Sequence, residues 1–149
     1  MKQALKMAQF AFDAGEVPVG AIIVDENGKI IAFGYNQVEK QGCQLFHAEV
    51  LAIQEACKEK GDWRLEKCEL YVTLEPCLMC LGLIKLSRIE KIVFGARSHL
   101  FGVGLNLEEI PGFYKKNLNI IGGIEEEQSA YLLKQFFKNA RRQKEKGRV

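Results

Sequence analysis

No apolar run in this chain of 149 residues approaches the roughly 20 residues that cross a bilayer, so no membrane-spanning helix is expected. The start lacks the pattern of a secretory signal, and Met1 to Phe12 reads instead as an amphipathic helix. Repeats, low-complexity segments and internal domain boundaries are missing too. Histidine is scarce, with two in the whole chain, and the five cysteines are an odd number. An odd count without a signal does not suit a disulfide framework. It points to a reducing cytoplasm, where a cysteine pair serves a metal or a reaction more often than a crosslink. The 48% of hydrophobic residues is enough to close one core without staples, so residues 1–149 are expected to form a single domain.

The net charge of +2 hides an uneven distribution. Of 21 basic and 19 acidic residues, seven basic ones (Lys134, Lys138, Arg141, Arg142, Lys144, Lys146, Arg148) but only Glu145 lie from Lys134 onward. The body is mildly acidic and the tail strongly basic. A solvated helix end and a nucleic-acid contact are both open readings of such a tail.

Hydrophobic periodicity gives the coarse order of elements. After the first helix, strands over about Val19 to Val24 and Lys29 to Tyr35 flank the Asn27-Gly28 turn, a hairpin signal. A polar loop runs to Leu45. "HAEVLAIQEACKEKG" is predicted as a helix with Val50, Leu51, Ile53 and Ala56 on its inner side, ending at Gly61. "CELYVTL" reads as a strand, "PCLMCLGLIKLS" as a helix and "KIVFGA" as a strand. A glycine-rich loop around Gly102 and Gly104, a short strand "LNIIGG" and a long helix from about Glu125 to Lys144 complete the chain. Alternating strands and helices predict an α/β fold, a three-layer α/β/α sandwich.

Two helix starts carry the chemistry. "HAE" puts His47 and Glu49 at one, and "PCLMC" puts Cys77 and Cys80, spaced i and i+3, at the next. One imidazole and two thiolates supply three zinc ligands and leave the fourth position open, which is the composition of a catalytic rather than a structural site. A helix N-terminus favours the thiolate form, and Pro76 suits a first turn, which has no partner for the N–H that proline lacks. Glu49, two positions from His47, diverges from it on a helix. It is better placed beside a water on the open position, where it can accept a proton and hand it to a leaving amine. Together the pattern points to hydrolytic deamination of an amidine-like ring carbon. A redox dithiol, or two core cysteines beside an unrelated histidine, are the competing readings. Cys43, Cys57 and Cys68 read as packing residues, and His99 as a surface or substrate-edge residue.

These motifs, with "EVPVGAIIV", "GYN", "HAEVLAI", "YVTLEPCLMCLG", "SRIEKIVFGAR" and "QFFKNARRQ", make the chain resemble the bacterial tRNA adenosine deaminases of the cytidine deaminase-like superfamily over nearly its whole length. The resemblance implies a five-stranded mixed sheet and a cytoplasmic homodimer with one zinc per chain. It implies conversion of the wobble adenosine of a tRNA anticodon, typically an arginine tRNA, to inosine. His47, Cys77 and Cys80 would hold the metal and Glu49 would carry the proton. Asn36 would hydrogen-bond the target nucleotide, Val17, Pro18 and Leu74 would wall the pocket, and the backbone at Ala48 and Glu75 would lie near the base. The chain departs from the family's usual Asp-Pro-Thr-Ala run, having "GCQLF" before His47, and from its Asp and Lys-Thr-Gly stretch, having "SHLFG" from Ser98. The final helix has one residue more than usual between "FFK" and "RR". Independently of family, the tail cations with Phe136 and Phe137 can combine phosphate attraction with base stacking on an anticodon stem-loop, and Arg141, Arg142 and Lys144 are the candidate contacts. A free guanine deaminase is the rival enzyme, since it shares the zinc motifs but has no use for the tail. A nucleic-acid-binding module with structural zinc is the rival from another class.

Overall fold

Small residues decide where helices touch the sheet. The computed structural model describes residues 1–102 and 118–146, so Gly104 and Arg148, singled out above, lie outside the described residues. Among the described residues the elements are α1 (Lys2–Asp13), β1 (Gly20–Val24), β2 (Ile30–Tyr35), α2 (Val38–Gln41), α3 (Ala48–Lys60), β3 (Glu69–Leu74), α4 (Leu78–Leu86), β4 (Lys91–Ala96), β5 (Asn119–Ile121) and α5 (Glu126–Lys146). Ala4, Ala8 and Ala11 form the buried stripe of α1, and Ala48, Ala52 and Ala56 that of α3. Each stripe meets a glycine. A methyl group on Gly20 would collide with the α1 backbone at Ala4 and Ala8, and one on Gly34 would overlap the Ala48 carbonyl and lie 2.7 Å from Ala52 N. Successive strand residues face opposite sides, so Gly20 seats α1 on one face, while Gly34, paired with Ala21, seats α3 on the other.

The sheet runs β2-β1-β3-β4-β5. β1 is antiparallel to β2 and β3, and β3, β4 and β5 are parallel, with α4 crossing from β3 to β4. The sandwich and the five-stranded mixed sheet expected from the sequence are both present. The main core lies between the sheet and α3 and α4, where Ile23, Leu70, Val72 and Ile92 meet Ala52, Ile53, Leu81 and Ile84. Ser129 of α5 packs on the other face, against Gly95.

Two sequence expectations are corrected. The segment after Tyr35 contains α2, a single turn between Gln37 and Gly42. Its first N–H groups are satisfied from outside the segment, which local sequence does not reveal. The inner side of α3 is Ala48, Glu49, Ala52, Ile53 and Ala56, whereas Val50 and Leu51 are only half-buried. Close helix-to-sheet approach at Gly34 selects the alanine stripe and turns the larger side chains outward.

β3 and β4 end at the same edge, and the antiparallel pairing brings the end of β2 and the start of β1 there. Ligand sites of such sheets form beyond the carboxyl ends of parallel strands.

Candidate active site

The backbone fixes this edge before any side chain is considered. Asn36 N donates to Val19 O at 3.1 Å, and Glu75 N donates to Ala96 O at 2.8 Å, extending the strand ends into the two helix starts. His47 is the N-cap of α3 and Cys77 the N-cap of α4, both with extended backbone. Pro76 therefore lies one residue outside the helix rather than in its first turn. Cys77 and Cys80 still bracket one turn, and Leu81 N closes it on Cys77 O at 2.9 Å. The His47 side chain does not cap its own helix. Instead, Asn36 Oδ1 accepts from Ala48 N at 2.9 Å, capping α3 from the end of β2. With its oxygen engaged, the Asn36 amide offers donors to anything else it meets.

His47 Nδ1 lies 3.5 Å from Cys80 Sγ and 3.8 Å from Cys77 Sγ, and the three ligand atoms fall within 4.8 Å of one another. Tetrahedral zinc, with bonds of about 2.3 Å to sulfur and about 2.0 Å to nitrogen, would separate a sulfur from a nitrogen by about 3.5 Å. Both nitrogen-to-sulfur distances suit that ion. The other ring nitrogen, Nε2, is 3.3 Å from Gln44 Oε1, an acceptor that leaves the Nδ1 lone pair on the thiol side. Cys77 is drawn down to about 4, chiefly because it accepts a hydrogen bond from Cys80 and secondly through His47. Cys80 is pushed far above the usual thiol range by the same bond, and by burial. His47 is raised, first by its hydrogen bond to Cys77. Glu49, only 4% exposed, is raised by burial and shares a hydrogen bond with Cys80.

These residues open into a cleft of about 690 Å³. Of the residues expected there, Val17, Asn36, Leu74 and Glu75 line it with His47, Glu49 and Cys77. Pro18 and Ala48 are buried and are not among the lining residues; Val19 takes a place beside Val17. His99 also lines the cleft. Cys43, Cys57 and Cys68 are not among its lining residues. Arg141, Arg142 and Lys144 are exposed on α5, which sends Leu133 and Phe137 into the cleft. Positions four and seven beyond Phe137 share its side of a helix, so Arg141 and Lys144 continue that side and Arg142 turns away.

Several residues of the cleft escaped the sequence reading. Glu16 is buried and accepts from Glu39 N at 3.0 Å and Lys40 N at 2.7 Å, holding the start of α2. The "EVPVG" stretch pointed near it, but only a long-range contact shows what its carboxylate does. Gln44 and Leu133 had no local signal; Leu100 and Phe101 were visible as exposed apolar residues only once the loop was placed.

The pattern of the cytidine and deoxycytidylate deaminase zinc-binding region matches residues 1–96. The chain is 44% identical to the tRNA-specific adenosine deaminase of Bacillus subtilis strain 168, over 99% of this chain and 92% of that protein. It is also 44% identical to the tRNA-specific adenosine deaminase of Rickettsia bellii, over 95% and 99%. A structure solved in a study of A-to-I editing by tRNA:A34 deaminases at the wobble position of transfer RNA superposes with a TM-score of 0.82, at 34% identity over 89% of this chain and 97% of that one. The guanine deaminase from Nitrosomonas europaea gives 0.79 at 26% identity, over 91% and 81%.

Proposed function

The chain belongs to the cytidine and deoxycytidylate deaminase family and stands among its tRNA-specific adenosine deaminases, and from that premise we propose that it hydrolyses adenosine to inosine at the wobble position of a tRNA anticodon, with arginine tRNA as the expected substrate. The carrying observation is the joint arrangement: a His47, Cys77 and Cys80 cluster beside the buried Glu49, in a cleft whose wall, α5, continues outward as a basic ridge.

One zinc per chain, held by those three residues, would supply an activated water for attack on the ring carbon. Asn36 would donate to the nucleotide while its oxygen stays on α3, and Val17 and Leu74 would press the base into register. Glu49 would take the water's proton and return it to the departing amine. A carboxyl raised by burial suits that double task, because it must bind and release a proton near neutral pH. Arg141 and Lys144 would meet the phosphates of the anticodon stem-loop.

A homodimer fits the apolar groove lined by Leu45, Phe46, Val50, Leu51, Trp63 and Leu83, a surface that a lone chain leaves uncovered. Sedimentation at micromolar concentration is expected to give a dimer. A cytoplasmic setting follows from the substrate and from the reducing conditions its metal thiolates need.

The guanine deaminase likeness keeps one alternative in view, and the basic ridge speaks against it because a neutral base has no phosphates to attract. The zinc-loaded protein should be incubated with bulk tRNA and separately with free adenine, guanine, adenosine and cytidine. Inosine in tRNA is the expected product; ammonia released from guanine alone would overturn the reading.

A further inference from the structure

The mouth of the cleft carries more apolar surface than its floor requires. Leu100 and Phe101 are 86% and 72% exposed, and Phe137 is 46% exposed, yet all three line the same cleft as Glu49. Single apolar side chains on a surface need no reason, but a cluster around one entrance does. The loop that carries Phe101 is tied down at both ends. Ser98 N donates to the buried Glu75 Oε2 at 3.1 Å, and Ser98 Oγ accepts from Phe101 N at 3.3 Å. Gly102 N donates to Ser98 O at 2.9 Å, and Gly102 bridges to the backbone of Cys77. Phe101 therefore rides on a turn fixed to the same residues that build the cleft floor.

Four glutamates, Glu16, Glu39, Glu49 and Glu75, line the cleft itself, and the cations stand outside it. Arg97 precedes the turn, and Arg141 and Lys144 continue the Phe137 side of α5. Aromatic surface beside cations is what an unpaired base and its phosphates require, and it suits neither a bare apolar protein face nor a free purine. The floor accounts for one base, and Phe101 stands beyond it.

Resting on the RNA reading above, we propose that Phe101, set by the Ser98 turn at the cleft mouth it shares with Phe137, is the stacking residue for the base adjacent to the target nucleotide. This loop then adds a grip on the neighbouring base that does not depend on which base it is. The departure of "SHLFG" from the family's usual stretch falls on this turn, so the stacking contact would be the chain's own.

The test uses the zinc-loaded full chain and anticodon stem-loop RNAs whose nucleotide on the 5′ side, or on the 3′ side, of the target is intact or abasic. Stacking of one base contributes enough that its loss should raise KM by about 5- to 150-fold, with kcat changing less. For the native protein that loss is expected with the abasic site on one side. Phe101→Ala should show it on intact RNA and add less than about threefold on that abasic RNA, while Phe101→Trp should restore most of it. Equal losses by Phe101→Ala on intact and abasic RNAs, or no loss on any, would overturn the assignment of Phe101 while RNA deamination by the native protein kept the functional reading in place. If the native protein released ammonia from guanine but converted no RNA, the functional reading would fail and this proposal with it.

Discussion

The floor and the rim of the cleft are built by opposite means. On the floor, His47, Glu49, Cys77 and Cys80 come from two helix starts pinned by backbone hydrogen bonds to strand ends, and each group leans on another. On the rim, Leu100, Phe101, Phe137, Arg141 and Lys144 are exposed and owe their places to a turn and to the length of α5. A coupled, buried set fails as a unit when one member is removed. Separately exposed groups contribute in increments. The floor can therefore set the reaction while the rim tunes which polymer reaches it.

The largest effect should come from breaking the floor outright. Cys80→Ala or Cys77→Ala is expected to lose bound zinc, stability and activity together, because metal binding and folding are linked. Metal analysis of the purified variants checks it, and full zinc content in both would remove these residues as ligands. Glu49→Gln separates chemistry from construction. It should keep zinc and fold and lower deamination by roughly 100- to 10,000-fold, since an amide cannot accept and return the proton. Retention of a third of native activity would mean that another group moves the proton.

The next effects reach the floor through its supports. Gly34→Ala forces a methyl into the α3 backbone at Ala48 and should destabilise the chain by about 1–3 kcal/mol or more, measured by denaturant unfolding. Asn36→Ala removes the cap on Ala48 N and should cost about 0.5–2 kcal/mol, together with a loss of activity on RNA exceeding that of an equally destabilising change elsewhere. The smallest effect is the sharpest probe of the rim. Neutralising Arg141 and Lys144 together should flatten the log–log dependence of tRNA affinity on salt by about 0.7 for each lost contact to single-stranded RNA. Neutralising Arg142 and Lys146, which turn away from the Phe137 side, should change it less. Equal slopes for the two pairs would leave α5 as a general basic surface without a preferred side.

The two regions also differ in how far they could be read from sequence. Strand and helix order was legible because apolar periodicity and the Asn27-Gly28 turn are local signals, and α1, the hairpin, β3, α4, β4 and α5 lie where that periodicity puts them. α2 was not, because its N–H groups are held by Glu16 from more than twenty residues away. The inner side of α3 was misread at Val50 and Leu51 because large apolar residues normally mark a core, and here a glycine on β2 brings the helix in closely at Ala48 and Ala52. His47, Cys77 and Cys80 were found through their residue types and spacing, and the fold does bring them within 4.8 Å.

What the sequence determined by itself was the inventory: a donor set of one imidazole and two thiols, a carboxylate two residues from the imidazole, an α/β order of elements and a basic end. These follow from residue chemistry and from periods of two and 3.6 residues, which need no knowledge of the remainder of the chain. Tertiary structure alone decided that Asn36 spends its oxygen on α3, that Gln44 meets the His47 ring, and that Pro18 is buried while Val19 lines the cleft. It also brought Phe101 and Phe137 to one entrance. Those outcomes depend on which strands pair and how closely helices approach the sheet, and such distances are fixed by packing between segments far apart in the chain.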